Sequence, residues 1–216
     1  MQTVNNEINP DITYQPASTG TISIFVTNLG KYNEGELIGE WLELPTTKEE
    51  FHACLTRIGI DGEYYEEFFL TDYESEITGL SNYINEYSNV NELNYLAEKL
   101  SCLSITEQAQ YEAVLEMGEV NSLVDLINLT DSLDNYGYLD NVNTEYDLGY
   151  YWVEESGGYD LKSLGALANY IDYERFGHDV ALNEGGVFTG NGYLYSQGES
   201  LSCHYDGTTP DEYCLL

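Results

Sequence analysis

Carboxylates dominate the side chains of this sequence that could do chemistry. In 216 residues, 39 Asp and Glu stand against 6 Lys and Arg, a formal net charge of −33. Adjacent pairs such as Glu66-Glu67 and Glu154-Glu155 have the residue types of glycoside hydrolysis, which needs two carboxylates flanking one bond. Neighbours in a strand or helix point in different directions, however, and a chain this acidic produces such pairs by chance. His52, His178 and His204 are far apart and form no HExxH motif. Cys54, Cys102, Cys203 and Cys214 are scattered without a CxxC pair, so free thiols are expected. The loops around Gly62, Gly137 and Gly207 lack the ligand series of an EF-hand, and Asp131, Asp134 and Asp140 offer at most a weak cation site. There is no GxSxG elbow and no Walker A loop; Gly185-Gly186 and Gly190-Asn191-Gly192 read as turns. The expectation is a protein without catalytic group, metal or cofactor.

Charge runs often mark disorder, but here the acids are interleaved with Tyr, Leu, Ile and Phe, and 42% of residues are hydrophobic. The chain reads as a folded polyanion. Its 21 tyrosines suit a surface whose rings are packed while the hydroxyls and neighbouring acids stay wet. A compact state that tolerates such self-repulsion has a use for its negative field. Repulsion excludes nucleic acid and an anionic membrane surface as partners. A basic protein groove, a cation or simple solubility remain, and of these only the groove needs charge spread over the whole molecule. With two charges per base pair of duplex, one chain matches roughly 16 base pairs and a dimer roughly twice that. No apolar stretch reaches the length of a membrane span, and Met1 to Glu7 lacks the basic region and apolar core of a signal peptide, so a cytoplasmic location is expected.

Residues 1–19, with Pro10 and Pro16, read as a flexible leader. Ile22, Ile24 and Val26 alternate in a strand turned by Asn28-Leu29-Gly30, and Glu40–Leu44 alternates likewise up to Pro45. Thr46 and Thr47 with Glu49 and Glu50 offer a capping box for a helix carrying Phe51, Leu55 and Ile58, and Glu67–Asp72 returns as a third strand. From Leu80 to Leu100 the apolar period becomes helical, and Ser104 to Met117 continues with a second helix stopped by Gly118. Three more helices are expected around Leu123–Ile127, Tyr146–Glu155 and Leu161–Ile171, then a hairpin of Val187–Thr189 and Tyr193–Tyr195. The fold class is therefore α+β in three small domains: 20–78 with a three-stranded antiparallel sheet and short helix, a helical 79–118, and an α+β 119–216. Each is net negative, as an extended surface requires and a local site does not.

Asn28-Leu29-Gly30-Lys31-Tyr32-Asn33-Glu34-Gly35-Glu36-Leu37 resembles the NLGKYNEGEL segment of the ArdA family of antirestriction proteins. Glu63–Glu74 is similar to that family's acidic, aromatic stretch ending in DYE, and Asp147–Gly157 and Asn169–Asp179 resemble two later blocks. In order and spacing these blocks cover about residues 21–195. The resemblance implies an elongated homodimer of three-domain subunits that mimics bent B-form DNA. Such a protein occupies the DNA groove of type I restriction-modification enzymes, made of a methyltransferase core with its specificity subunit, and protects incoming mobile or phage DNA in a bacterial cell.

On that reading the surface in place of phosphates comprises Glu34, Glu36, Glu40, Glu43, Asp61, Glu63, Glu66, Glu67, Asp72, Glu74 and Glu76 in the first half. Asp140, Glu145, Asp147, Glu154, Glu155, Asp172 and Glu174 extend it in the second. Tyr146, Leu148, Tyr151 and Trp152, apolar surface beside acids, are the expected dimer contact. The competing reading is an acidic module for another basic DNA-binding or defence protein.

Overall fold

Alternation makes Ile22–Asn28 a strand, β1, with Ile22, Ile24 and Val26 fully buried on one face. The computed structural model describes residues 21–198, 201 and 203–216, and the leader expected over 1–19 lies outside them. β1 is the centre of an antiparallel sheet between β2 (Gly39–Leu44) and β3 (Phe68–Ser75). Leu44 and Leu42 lie opposite Ile22 and Ile24 and extend the buried face. A register shift between Phe25 and Val26 leaves Thr71 as the extra residue of a bulge. Because of it, Leu70 and Tyr73, three apart, both turn toward the core.

The turn expected at Asn28-Leu29-Gly30 is instead the start of a short helix, α1 (Leu29–Asn33). Asn28 caps it by accepting the Lys31 N–H at 2.9 Å, and its amide donates to the Ile58 carbonyl at 3.1 Å. The next helix, α2 (Lys48–Arg57), begins at Thr47, whose hydroxyl accepts the Glu50 N–H, and it buries Phe51, Cys54 and Leu55.

The period from Leu80 to Leu100 does not give one helix. A 3-10 turn spans Leu80–Tyr83, and the α-helix α3 runs only from Val90 to Ser101. Between them Asn85 accepts from Tyr87 N–H, Ser88 accepts from Asn85 N–H and Asn89 accepts from Asn91 N–H. These local bonds offer the backbone an alternative to helical pairing. Helix α4 (Ile105–Met117) follows a full capping box of Ser104 and Glu107 and ends at Gly118 with φ 75°. Helix α5 (Leu123–Thr130) packs against α3.

A second antiparallel sheet holds β4 (Tyr136–Asp140), β6 (Gly192–Ser196) and β5 (Val187–Phe188) in that order. The β5–β6 hairpin agrees with the sequence; β4 does not stand out there. Helix α6 (Glu145–Tyr150) passes into a wider π-type turn at Tyr151–Glu155. The helix expected over Leu161–Ile171 is a short α7 (Leu161–Leu164) followed by a 3-10 stretch to Tyr170, and α8 (Tyr173–Glu184) comes after it. The protein is thus mixed α+β.

One apolar core links Ile22 of the first sheet, Leu93 of α3, Leu126 of α5, and Tyr205 and Leu215 of the tail. A smaller cluster gathers Val142, Leu148 and Tyr193 under α6, α8 and the second sheet. The tail is fastened by asparagines. Asn128 exchanges hydrogen bonds with the Tyr205 backbone at 2.7 and 2.9 Å, Asn94 donates to the Tyr213 carbonyl, and Asn91 accepts from Leu215 N–H.

Candidate functional site

Strand geometry sets the first group of acids. Glu43 and Glu74 lie opposite Ser23 on either side of β1, and Asp72 lies opposite Phe25, all on the face turned away from the core. Along β3, Asp72 and Glu74 are two residues apart, about 6.8 Å, which is twice the ~3.4 Å axial charge spacing of one DNA strand. Glu76 follows immediately and is also exposed. Glu40, by contrast, lies opposite buried Val26 and turns to α2, where Arg57 holds its carboxylate at 2.8 Å and that of Glu50 at 2.7 Å.

A loop between α2 and β3 positions the second group. Asp61 accepts the backbone N–H groups of Glu63, Tyr64 and Tyr65 at 2.9–3.0 Å, which folds the loop and holds its carboxyl below the usual range. Glu63, Glu66 and Glu67 are thereby left exposed, with no hydrogen bond or ion pair from their side chains to another described residue. The Tyr65 hydroxyl donates to Glu34, and Lys31 bonds Glu34 at 3.2 Å and Glu36 at 3.5 Å while lying 4.8 Å from the Tyr65 ring centroid. Tyr65 first and Lys31 second lower the Glu34 pKa.

The remaining acids gather where α6 meets α8. Thr144 and Asp147 cap α6: the Thr144 hydroxyl accepts the Asp147 N–H and donates to its carboxylate at 2.7 Å. Asp172 caps α8 by accepting the Arg175 N–H at 3.1 Å. Glu145 bonds His178 across the two helices at 2.7 Å, which raises the His178 pKa. Glu154 accepts from the Tyr173 hydroxyl, which is pushed up to about 12 by that bond. Glu155 and Glu174 are exposed, and Asp140, at the end of β4, accepts from the Asn141 amide.

None of the acids named from the sequence is buried, and only Glu40, Glu145 and Asp147 are half-covered. They do not form one continuous face, since Glu40 and Asp72 point to opposite sides of one sheet. Glu112 and Glu116 on α4, four residues apart and so on one helix face, and Glu86 beside the first sheet, also bear carboxylates; only the four-residue spacing of the first two marks them in the sequence. Of the expected dimer contacts, Tyr146 is 50% exposed and Tyr151 and Trp152 are half-buried. Leu148 is fully buried within the subunit, because the close approach of α8 covers it, so it cannot face a partner.

Among the described residues no three His, Cys, Asp or Glu side chains converge as metal ligands; Asp131 is instead paired with Lys99. All four cysteines are free thiols, and burial pushes that of Cys54 up to about 12. No described helix is long and apolar enough to cross a membrane. What the arrangement can do is hold many carboxylates at fixed positions on folded elements. No curated protein matches the chain. The model of the ArdA antirestriction protein family matches residues 24–195, from the first strand through the second sheet, and the chain belongs to that family.

Proposed function

We propose that this antirestriction protein is a stoichiometric, non-enzymatic inhibitor whose carboxylates take the place of DNA phosphates in the groove of a type I restriction-modification enzyme. The observation that carries the reading is the distribution of charge: acids stand exposed on both sheets' surroundings, on loops fixed by Asp61 and Tyr65, and at the caps of α6 and α8. Carboxylates held by hydrogen bonds have less freedom to lose at binding than flexible ones. They meet the Lys and Arg that otherwise neutralise phosphates, and having no base edges they are indifferent to recognition sequence.

The reading includes a homodimer acting in the bacterial cytoplasm, protecting incoming DNA. One subunit matches only roughly 16 base pairs in charge, and exposed Tyr146, Tyr150, Leu164, Leu167 and Tyr170 offer apolar area in the last third of the chain.

The deciding experiment is an inhibition titration against two type I enzymes with different recognition sequences, at several salt concentrations. Near-equal affinity that weakens as ionic strength rises is the expected result. A strong preference for one recognition specificity, or indifference to salt, would count against DNA mimicry and favour a conventional protein interface.

A further inference from the structure

The outer face of the first sheet is aromatic where a solvated antiparallel sheet is ordinarily polar. Phe25 and Trp41 lie side by side there in cross-strand register, edge to face at 5.4 Å, and Tyr32 meets Phe69 in the same way at 5.2 Å. These rings line a groove of about 750 Å³, within the size range of ligand sites. Its acids are Asp72, Glu74 and Glu86, and among the described residues neither Lys nor Arg lines it. Leu37, also on the wall, is 54% exposed. The apolar core lies on the other face, so these aromatics are not needed to fill it.

We infer that this groove seats an arginine side chain of the basic partner, with the guanidinium against the aromatic walls and its N–H groups on Asp72 or Glu74. Charge complementarity selects the occupant. An anion is repelled, and a neutral apolar segment would leave the carboxylates without partners in a covered groove. Lysine satisfies the charge, but its compact and strongly hydrated ammonium gains less from a flat ring than a guanidinium does. Arginine combines stacking on an aromatic face with a forked bond to a carboxylate. The inference rests on the DNA-mimic reading for the identity of the partner and adds to it a focus. Binding is concentrated at one aromatic anchor, as interface hot spots are, in addition to the diffuse field of the exposed acids.

The test uses the full chain and the indole N–H resonances of Trp41 and Trp152, titrated with N-acetyl-arginine amide and with N-acetyl-lysine amide. The Trp41 signal is expected to shift and saturate with the arginine compound, to respond more weakly to the lysine compound, and to lose its response in Asp72→Asn/Glu74→Gln. Trp152, which packs in the second cluster, stays in place. In the inhibition assay Trp41→Ala weakens binding by about tenfold or more while Trp41→Phe stays near wild type. Circular dichroism checks that the variants fold, and if the Ala variant does not, Trp41→Phe and the titration still decide. An unmoved Trp41 signal, or shifts spread evenly over exposed acids, overturns the groove. So does a folded Trp41→Ala protein that inhibits like wild type. A wild-type chain that inhibits no type I enzyme overturns DNA mimicry alone, because the arginine titration reads the groove independently.

Discussion

Gly149 and Gly177 meet backbone to backbone where α6 crosses α8. A Cβ placed on Gly177 would stand 2.7 Å from the Gly149 amide nitrogen and 1.8 Å from the Glu145 carbonyl oxygen, and one on Gly149 would stand 1.9 Å from the Tyr173 carbonyl oxygen. All of these neighbours are backbone and cannot swing aside. The two glycines therefore fix the distance between the acids that open α6, Glu145 and Asp147, and those that open α8, Asp172 and Glu174. One glycine falls in each of two sequence blocks that resemble the family, which gives those blocks a physical reason.

Gly149→Ala and Gly177→Ala are each expected to destabilise the protein by about 3 kcal/mol, because neither helix can retreat without uncovering Leu148. Denaturant unfolding measures this, and Gly190→Ala, where a Cβ meets nothing within 4 Å, is the control. Equal stability of all three variants would contradict so close a crossing.

Single charge reversals among the unpaired acids outside the aromatic groove are expected to weaken inhibition by about 1 kcal/mol or less each, as for exposed ion pairs. Reversing Glu63, Glu66 and Glu67 together compounds, since they share one loop and one local field. Glu34→Ala behaves differently: it removes the acceptor of both Tyr65 and Lys31 and loosens the loop itself. Titration of inhibition paired with amide exchange at 61–67 separates the two effects.

The Glu145–His178 bond predicts a pH dependence. Its partner raises the folded pKa of His178 above the ordinary value of 6.5, so the contribution of the charged pair is fully present below that value and is lost as pH rises through the higher folded pKa. The histidine C–H resonance should titrate above that of an unpaired histidine, and Glu145→Gln should bring it back down. An unshifted midpoint in the wild type would mean that the two helices are not bridged.

The tail lies beyond the family match, yet Tyr205 and Leu215 belong to the main core. Asn128→Ala strips the Tyr205 N–H and C=O of their partner at a buried site and is expected to cost about 1–3 kcal/mol, measured by chemical denaturation. Truncation after Ser196 should cost more, since it also uncovers α3 and α5. A truncated protein as stable as the full chain would show the tail to be dispensable.

Sedimentation at micromolar concentration is expected to give a dimer, weakened by Tyr146→Ala and unaffected in subunit stability, because the Tyr146 ring is half-exposed. Leu148→Ala should instead lower subunit stability, by about 2–5 kcal/mol. A fully inhibitory monomer would remove the argument from length.

The sequence by itself determined the charge, the absence of familiar catalytic motifs and several elements whose signal is local. Ser104 with Glu107 starts α4 and Gly118 stops it, Thr47 starts α2, and alternation sets β1 and β2, because caps and periods act within a few residues. Only tertiary structure decided what depends on partners far away. Tyr136–Asp140 becomes a strand by pairing with residues more than 50 positions later, and Leu148 is core rather than contact because α8 crosses at Gly177. The helical period around Leu80–Leu100 was real in its burial but broken in its backbone, since Asn85, Ser88 and Asn89 bond locally. The same holds for the candidate surface. Which side chains are acidic is a matter of composition, whereas which of them are held by Arg57, Tyr65, Lys31 or a helix cap, and which stand open, follows from neighbours that only the fold brings together.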